Sequence, residues 1–385
     1  MAAIGRTVAL AALLAISAGC QPSASTSAPL QSRSAASPNP TPTPTPLPGC
    51  PLAVAADAPE VLKTGLAGPD DLVFDKVGRL LFSDIHLGTV SALNADGSVA
   101  VLARGLSAPE GMVLAADGRL LVAEQGRNRV IALDMASGSV SPWRVFPNRT
   151  GRAGLDGIGP LLPNGDIVVP DSPNGVVWRV SGDGKMETRI GSGMIRPVGA
   201  AADQQGRIFV ADEGGALWAL TPAQRRFASL PVPDDVLVGH DGHLFVNTIG
   251  DSAIHELDGQ RHTIRIISGI RGPQGIALDT ADNLYYTEFD AGRIDRLLRT
   301  FILDKPTVSS AGDGTRVICP RLRRAANFRD VLSLIPATGG ATTVVQLHQP
   351  GTDSSGAMRI RTAEKTLSFS IAAGQLQLSQ TVPIP

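Results

Sequence analysis

Residues 109–133 contain the stretch that decides the fold, because they hold three short apolar runs separated by turn residues. The first run is Pro109-Glu110-Gly111-Met112-Val113-Leu114, and Asp117-Gly118 leads from it into Leu120-Leu121-Val122-Ala123-Glu124. A third run, Arg129-Val130-Ile131-Ala132-Leu133, follows after four intervening residues. Short apolar runs bounded by Gly and Asp are typical of antiparallel β-strands joined by tight turns.

The same pattern recurs six times between about Leu66 and Arg299, with a period near forty residues. The positions equivalent to Glu110 are Asp70, Asp156, Val198, Asp234 and Gln274. The positions equivalent to Glu124 are Asp84, Asp171, Asp212, Thr248 and Glu288. A period of about 40–45 residues with four short strands per repeat is typical of propeller blades. The sequence therefore predicts an all-β fold, with a six-bladed β-propeller at residues 50–305.

The strand-like segment Val61-Leu62-Lys63-Thr64 precedes the first repeat, and the last repeat shows only three clear strands. We expect this segment to complete the sixth blade, because that pairing closes the ring and removes an open sheet edge. Every blade is then expected to have four strands. The third repeat has one extra residue near Pro160 and Pro163, which leaves open whether Asp156 or Gly157 faces the channel.

Two rings of polar residues are expected at one rim of the channel, since the second strand of each blade returns to the level where the first begins. The inner ring holds the carboxylates of Asp70, Glu110, Asp156 and Asp234. Carboxylates around one axis repel each other, and either a cation or raised pKa values would relieve the repulsion. Oxygen-rich cavities suit Ca²⁺ or Mg²⁺, so these four residues are the predicted metal ligands.

The remaining predicted rim residues are Gln274 in the inner ring and, in the outer ring, Asp84, Glu124, Asp171, Asp212 and Glu288. The acidic members of this outer set end the second strands, so the alternative is that they accept N–H bonds from neighbouring turns. On the opposite face, His240 and His243 flank the Asp241-Gly242 turn. We expect both histidines to be exposed turn residues, with weak metal binding as the alternative.

The second repeat resembles the NHL repeat family. Pro109-Glu110-Gly111 matches that family's proline–glycine start, Asp117-Gly118 matches its turn, and Asn128-Arg129-Val130 matches its end. The resemblance implies the propeller fold and says little about function, since such propellers serve both as enzymes and as docking surfaces.

The chain is also distantly similar to the gluconolactonase and senescence-marker-protein group, six-bladed propellers that hydrolyse lactones with a channel metal. That group holds its metal with a Glu in the first blade, an Asn in a middle blade and an Asp in a later blade. The resemblance implies Asp70 and Asp234 for the first and last ligands, whereas Val198 stands at the Asn position. Asp156-Gly157 retains part of the group's Asn-Asp-Gly motif, and Glu110 is placed to compensate from the second blade.

Residues 1–19 have the pattern of a signal peptide, with Arg6 before an apolar segment from Val8 to Ile16. The segment ends in Ser17-Ala18-Gly19-Cys20, which resembles a bacterial lipobox, so Cys20 is predicted to carry a lipid; simple cleavage is the alternative. Residues 20–49 are rich in Ser, Pro and Thr and predict a semi-rigid spacer. We therefore expect an exported protein, anchored by lipid at the bacterial cell surface or membrane.

Two functions remain open from the sequence. The first is a monomeric propeller that binds a small polar ligand or an extracytoplasmic protein at its acidic rim. The second is a divalent-cation-dependent hydrolase of lactones or related esters. Val198 favours the first and the acidic inner ring favours the second. A net charge of −1 gives no indication of nucleic acid, and residues 306–385 predict a small β-rich module from their period-two alternation.

Cys50 and Cys319 flank the predicted propeller, and we expect them to form a disulfide in the exported protein. Neither has a cysteine or histidine at metal-ligand spacing. Closing so long a loop contributes about 4–5 kcal/mol in the chain-entropy model. Non-reducing peptide mapping of protein from an oxidising compartment should recover the two cysteines in one cross-linked peptide. Recovery of both as free thiols would contradict the pairing.

Overall fold

The computed structural model describes residues 54–55, 58–147, 153–310, 316–325, 332–336, 346–348, 358–360, 366–373 and 376–383. Between residues 60 and 297, six sheets of antiparallel strands follow one another around a central axis. The first strand of each sheet lies innermost and contacts the neighbouring sheets. The fold is the six-bladed β-propeller that the repeat predicts.

The strands occupy equivalent places in the repeats. The first strands are Pro69–Phe74, Pro109–Leu114, Pro197–Ala202, Pro233–Val238 and Pro273–Leu278. The second strands are Leu80–Asp84, Leu120–Glu124, Ile167–Asp171, Ile208–Asp212, Leu244–Thr248 and Leu284–Glu288. The third strands are Thr89–Leu93, Arg129–Leu133, Val176–Val180, Ala216–Ala219, Ala253–Leu257 and Arg293–Leu297. The fourth strands of the first five blades are Val99–Ala103, Val140–Val145, Glu187–Ser192, Arg225–Ser229 and Thr263–Ser268.

The connections between these strands are short. Within the described residues, 3₁₀ helices at Gln125–Arg127, Ser172–Asn174 and Phe289–Ala291 link second and third strands. The turn between first and second strands contains a residue with positive φ, which is Gly118 in the second blade and Asp282 in the sixth. Gly and Asp adopt this conformation more readily than other residues, which is why the turns are recognisable in the sequence.

The third blade differs from the expectation of four strands in every blade. Its sheet has three strands, and the segment that precedes them makes only an isolated bridge between Leu161 and Ile167. Pro160 and Pro163 lie in this segment, and proline has no N–H to donate to a strand ladder. The prediction of four strands in every blade was therefore wrong for the third blade.

The ring closes as the sequence predicts. Glu60–Lys63 pairs antiparallel with Arg293–Leu297 and becomes the outermost strand of the sixth blade. Glu60 accepts hydrogen bonds from Arg296 at 2.6 Å and from Arg323 at 3.1 Å, so the closing strand is also bonded to a strand that follows the propeller.

The core is divided between the blades. The described residues form six apolar clusters, one between each pair of neighbouring blades, and the second strands are buried along their whole length. Leu81 and Leu120 meet between the first two blades, and Phe82 and Tyr285 meet between the first and the sixth. Each blade buries its faces only against its neighbours, so removing one contact weakens the whole ring.

The chain beyond the sixth blade is also β-structure. Its strands are Phe301–Ser310, Arg316–Arg324, Leu332–Pro336, Gln346–His348, Met358–Ile360, Thr366–Ala373 and Leu376–Pro383. Val54–Ala55 pairs in parallel with Arg316–Arg324, aligning Val54 with Arg323. Cys50 lies outside the described residues, so the disulfide stays a prediction. Cys20, the leader and the spacer also lie outside them. No helix in the described part of the chain is long and apolar enough to cross a membrane.

A protein that begins at residue 64 should unfold at a temperature at least about 5 °C lower than one that begins at residue 50. The shorter protein lacks the closing strand, which leaves Arg293–Leu297 as an open edge and removes Leu62 from the cluster between blades one and six. Thermal unfolding measured by circular dichroism would make the comparison. Equal melting temperatures would show that the ring does not depend on this strand.

Candidate functional site

A cavity of about 260 Å³ lies in the channel where the first strands begin. Its lining includes five carboxylates and two other residues of the predicted inner ring. These are Asp70, Asp71, Asp156, Asp234, Asp235, Gln274 and Val198. Repeat symmetry therefore brings together residues from five blades, and three of the four predicted metal ligands line one cavity. Glu110, the fourth, is buried beside it.

A backbone bulge sets the position of these side chains. In the five blades with a first strand, the pairing with the second strand skips two residues after the initial proline; in the first blade these are Asp70 and Asp71. A bulge of this kind bends the strand and turns its side chains. The first residue of each pair is the predicted inner-ring position.

The second bulge position is glycine in three of these five blades, and the equivalent residue of the third blade is Gly157, because the backbones meet there. A Cβ on Gly111 would lie 2.6 Å from the Cα of Gly157, and a Cβ on Gly157 would lie 2.3 Å from the Val198 carbonyl oxygen. A side chain at either position would therefore push neighbouring blades apart. The other two blades carry Asp71 and Asp235 at this position.

Asp71 and Asp235 join neighbouring blades. Asp71 accepts the N–H of Leu72 at 2.7 Å and that of Met112, in the next blade, at 2.5 Å. Asp235 accepts the N–H of Val236 at 2.7 Å. Burial raises the pKa of Asp235 to about 7. A hydrogen bond from the Ile276 N–H of the next blade acts in the opposite direction and lowers this pKa. Sequence analysis missed these two residues, although an acid where other repeats have glycine was a visible signal.

Asp70 and Asp234 have no hydrogen-bond or ion-pair partner for their carboxylates among the described residues. They are nevertheless buried, with only 9% of Asp70 and 4% of Asp234 exposed. Burial raises the pKa of each carboxyl well above its usual range, and the nearby charge of Asp156 raises both further. A buried carboxylate without a donor is costly, and a cation or a proton relieves the cost.

A chain of polar contacts runs along one side of the cavity. Gln125 Nε2 donates to Glu110 Oε2 at 2.6 Å and lies 3.4 Å from Asp156 Oδ2. Arg196 forms ion pairs with Asp156 and, through Nε at 2.7 Å, with Glu213. Burial and the charges of Asp156 and Asp70 raise the pKa of Glu110 well above its usual range.

Sequence analysis also missed Gln125, Arg196 and Glu213. Gln125 and Glu213 directly follow the outer-ring residues of their blades, and Arg196 directly precedes the proline that starts its first strand. Their positions in the repeat carried a signal. Asp156 and Gly157, the two alternatives left open for the third repeat, both line the cavity.

The outer-ring residues are buried and do not line this cavity. Four of their carboxylates accept the N–H of a residue seventeen positions earlier, in the loop that leads into the same blade. The pairs are Asp84 with Ala67, Glu124 with Ser107, Asp212 with Ile195, and Glu288 with Arg271. Asp171 instead accepts from Asn174 and Trp178. These contacts fit the alternative in which the outer ring fixes loops.

A second polar cluster lies at the turn of the fifth blade. His243 Nδ1 is 3.0 Å from Glu256 Oε1 and 3.2 Å from Asp241 Oδ2. Arg299 Nη2 lies within 3.0 Å of both acids, so a guanidinium already pairs with each of them. Among the described residues this is the one trio of His, Asp or Glu whose ligand atoms all lie within 4.8 Å. No three of the described channel carboxylates meet that spacing.

No protein-family profile and no curated protein sequence matches this chain. Solved structures do match its fold. A gluconolactonase from Xanthomonas campestris is 20% identical, with a TM-score of 0.53, over 67% of this chain and 98% of its own. Regucalcin, a calcium-binding protein from Agrobacterium tumefaciens, is 15% identical, with a TM-score of 0.54, over 64% and 95%.

A third match is a PQQ-bound aldose sugar dehydrogenase from Streptomyces coelicolor, 15% identical with a TM-score of 0.51 over 65% of this chain and 99% of its own. A gluconolactonase, a calcium-binding protein and a sugar dehydrogenase therefore share this architecture. At these identities the matches establish a six-bladed β-propeller, and function has to be argued from the site.

Without divalent cations, the protein should melt at least about 3 °C higher at pH 5.5 than at pH 8. The native pKa values of Asp70, Glu110 and Asp234 lie well above the unfolded values, and that of Asp235 is about 7. The native state therefore holds more protons than the unfolded chain, and the stability that protonation of Asp235 contributes is lost as pH rises through about 7.

Scanning calorimetry in chelator at the two pH values would measure this difference. The double variant Asp70→Asn with Asp234→Asn should show a smaller one, because two of the raised groups are removed. A wild-type melting temperature that is equal or higher at pH 8 would contradict the account.

Proposed function

We propose that the channel binds a hard divalent cation between Asp70 and Asp234, and that the protein hydrolyses lactones or related esters at that site. The observation that carries the proposal is the pair of buried carboxylates without donors, facing one cavity from the first and fifth blades. Carboxylate oxygens are the ligands that Ca²⁺ and Mg²⁺ prefer.

The donor set fits a cation that keeps part of its water shell. Asp70, Asp156 and Asp234 line the cavity, and the Gln274 side chain adds an amide oxygen, whereas Val198 offers none. The carboxylates are not gathered into a tight trio. Mg²⁺ characteristically keeps several waters and uses one or two carboxylates, and Ca²⁺ accepts flexible ligand geometry.

The surrounding residues suit ester hydrolysis. A bound cation would polarise an ester carbonyl and lower the pKa of a bound water. Glu110 is the group placed to move a proton, because burial and neighbouring charges raise its pKa well above its usual range and Gln125 fixes one of its oxygens. The lining also includes the apolar residues Met112, Val198 and Ile276, which limit water around a bound substrate.

The comparisons support this alternative of the sequence analysis more than the docking alternative. A gluconolactonase and a calcium-binding regucalcin share the fold, although the likeness extends to architecture alone. From the leader-like pattern and spacer of residues 1–49, we also propose that the protein is exported and anchored by lipid. We propose further that it acts as a monomer.

Binding without catalysis is the second candidate. It is favoured by Val198, which stands where the lactonase group has a ligand, and by Arg196, which supplies a positive charge beside the cavity. The ligand would then be a small polar molecule or an extracytoplasmic protein at the acidic mouth.

Metal-stripped protein given millimolar Ca²⁺, Mg²⁺ or Mn²⁺ should melt at a higher temperature and hydrolyse a sugar lactone. A cation present at 100 times its dissociation constant stabilises the native state by about 2.7 kcal/mol. The double variant Asp70→Asn with Asp234→Asn should lose both effects. Asp183→Asn is the matched control, since Asp183 pairs with Lys185 on the surface.

The two measurements separate the candidates. Cation-dependent melting without lactone hydrolysis would support binding and reject the hydrolase. A wild-type melting temperature that no cation changes would reject the cation site itself.

A further inference from the structure

We propose that Arg196 is an internal competitor for the channel cation, so that the site exchanges a guanidinium for a divalent ion when it loads. This inference rests on the cation site of the proposed function. Among the described residues, Arg196 is the one basic side chain paired with a carboxylate that lines the cavity. It therefore holds the position of a counter-ion in the ion-free state.

The guanidinium and the proposed cation share the same carboxylates. Arg196 Nη2 donates to Asp156 Oδ2, and Asp156 lines the cavity together with Asp70 and Asp234. A divalent ion between Asp70 and Asp234 would lie near this positive group and be repelled by it. When two cations compete for the same ligands, each weakens the binding of the other by the same coupling free energy.

Arg196 has a second place to go. Its Nε is 2.7 Å from Glu213 Oε2, and Glu213 lies outside the cavity lining with a quarter of its side chain exposed. The guanidinium can therefore leave Asp156 and keep its bond to Glu213. Movement is confined to the side chain, because the Arg196 N–H is held by Asp212 Oδ1 at 2.8 Å and Pro197 follows directly.

Release of Asp156 completes the ligand set. In the present arrangement the channel carboxylates do not form a tight trio, and one Asp156 oxygen is committed to Arg196 and Gln125. Once freed, Asp156 supplies a third carboxylate from the third blade. This would replace the ligand that Val198 cannot provide in the fourth blade.

Calorimetric titration of Ca²⁺ into metal-stripped protein tests the exchange. Arg196→Gln should bind Ca²⁺ at least about tenfold more tightly than the wild type, because the competitor is gone. Glu213→Gln should bind it several-fold more weakly, because Arg196 then loses its alternative partner and stays on Asp156. Arg179→Gln, which breaks the surface pair with Asp166, should leave the affinity unchanged.

If the Arg196–Glu213 ion pair were merely structural, the two variants would not change the Ca²⁺ affinity in opposite directions. Melting curves in chelator would confirm that each variant is folded before titration. Equal or weaker binding by Arg196→Gln, with Ca²⁺ still bound by the wild type, would overturn the exchange and leave the cation site standing. Absence of Ca²⁺ binding in the wild type and in Arg196→Gln would overturn both.

Discussion

The close approach of the first strands around the axis is the constraint on which the rest of the structure depends. Gly111, Gly157 and Gly199 allow contact because no Cβ stands between the backbones of neighbouring blades. The residues just before these glycines then fall around one cavity of about 260 Å³, whatever their charge. Backbone packing therefore decides where these positions meet, and the sequence places carboxylates at four of the six. Acidic residues at these positions therefore cost stability unless something compensates for them.

The compensation is uneven around the ring. Asp71 is occupied by N–H groups of two blades, and Thr287 Oγ1 donates to the Asp70 carbonyl oxygen across the junction of the sixth and first blades at 2.8 Å. Asn247 makes the corresponding contact to the Gln274 carbonyl oxygen. These contacts fix the backbone rigidly while leaving the carboxylates of Asp70 and Asp234 without donors. Protein groups thus fix the backbone at these junctions without pairing the two carboxylates, and Arg196 balances only one side of the cavity.

The sequence predicts the fold well because the repeat encodes it locally. Turn residues, strand lengths and the spacing between Glu110 and Glu124 recur in five of the six copies, so six blades and the inner-ring positions could be read directly. The third blade departed because Pro160 and Pro163 remove N–H donors from its first strand. Arg196 and Asp235 could not be assigned roles, because their partners come from neighbouring blades and depend on loop geometry that a single repeat does not specify.

The central claim is that the channel, and not the cluster at the fifth-blade turn, is the cation site. Crystals soaked in Mn²⁺ and measured at the manganese absorption edge would locate the ion by its anomalous signal. We expect one strong peak in the channel between Asp70 and Asp234. A peak only beside Asp241, His243 and Glu256, or no peak in a well-ordered crystal, would contradict the account.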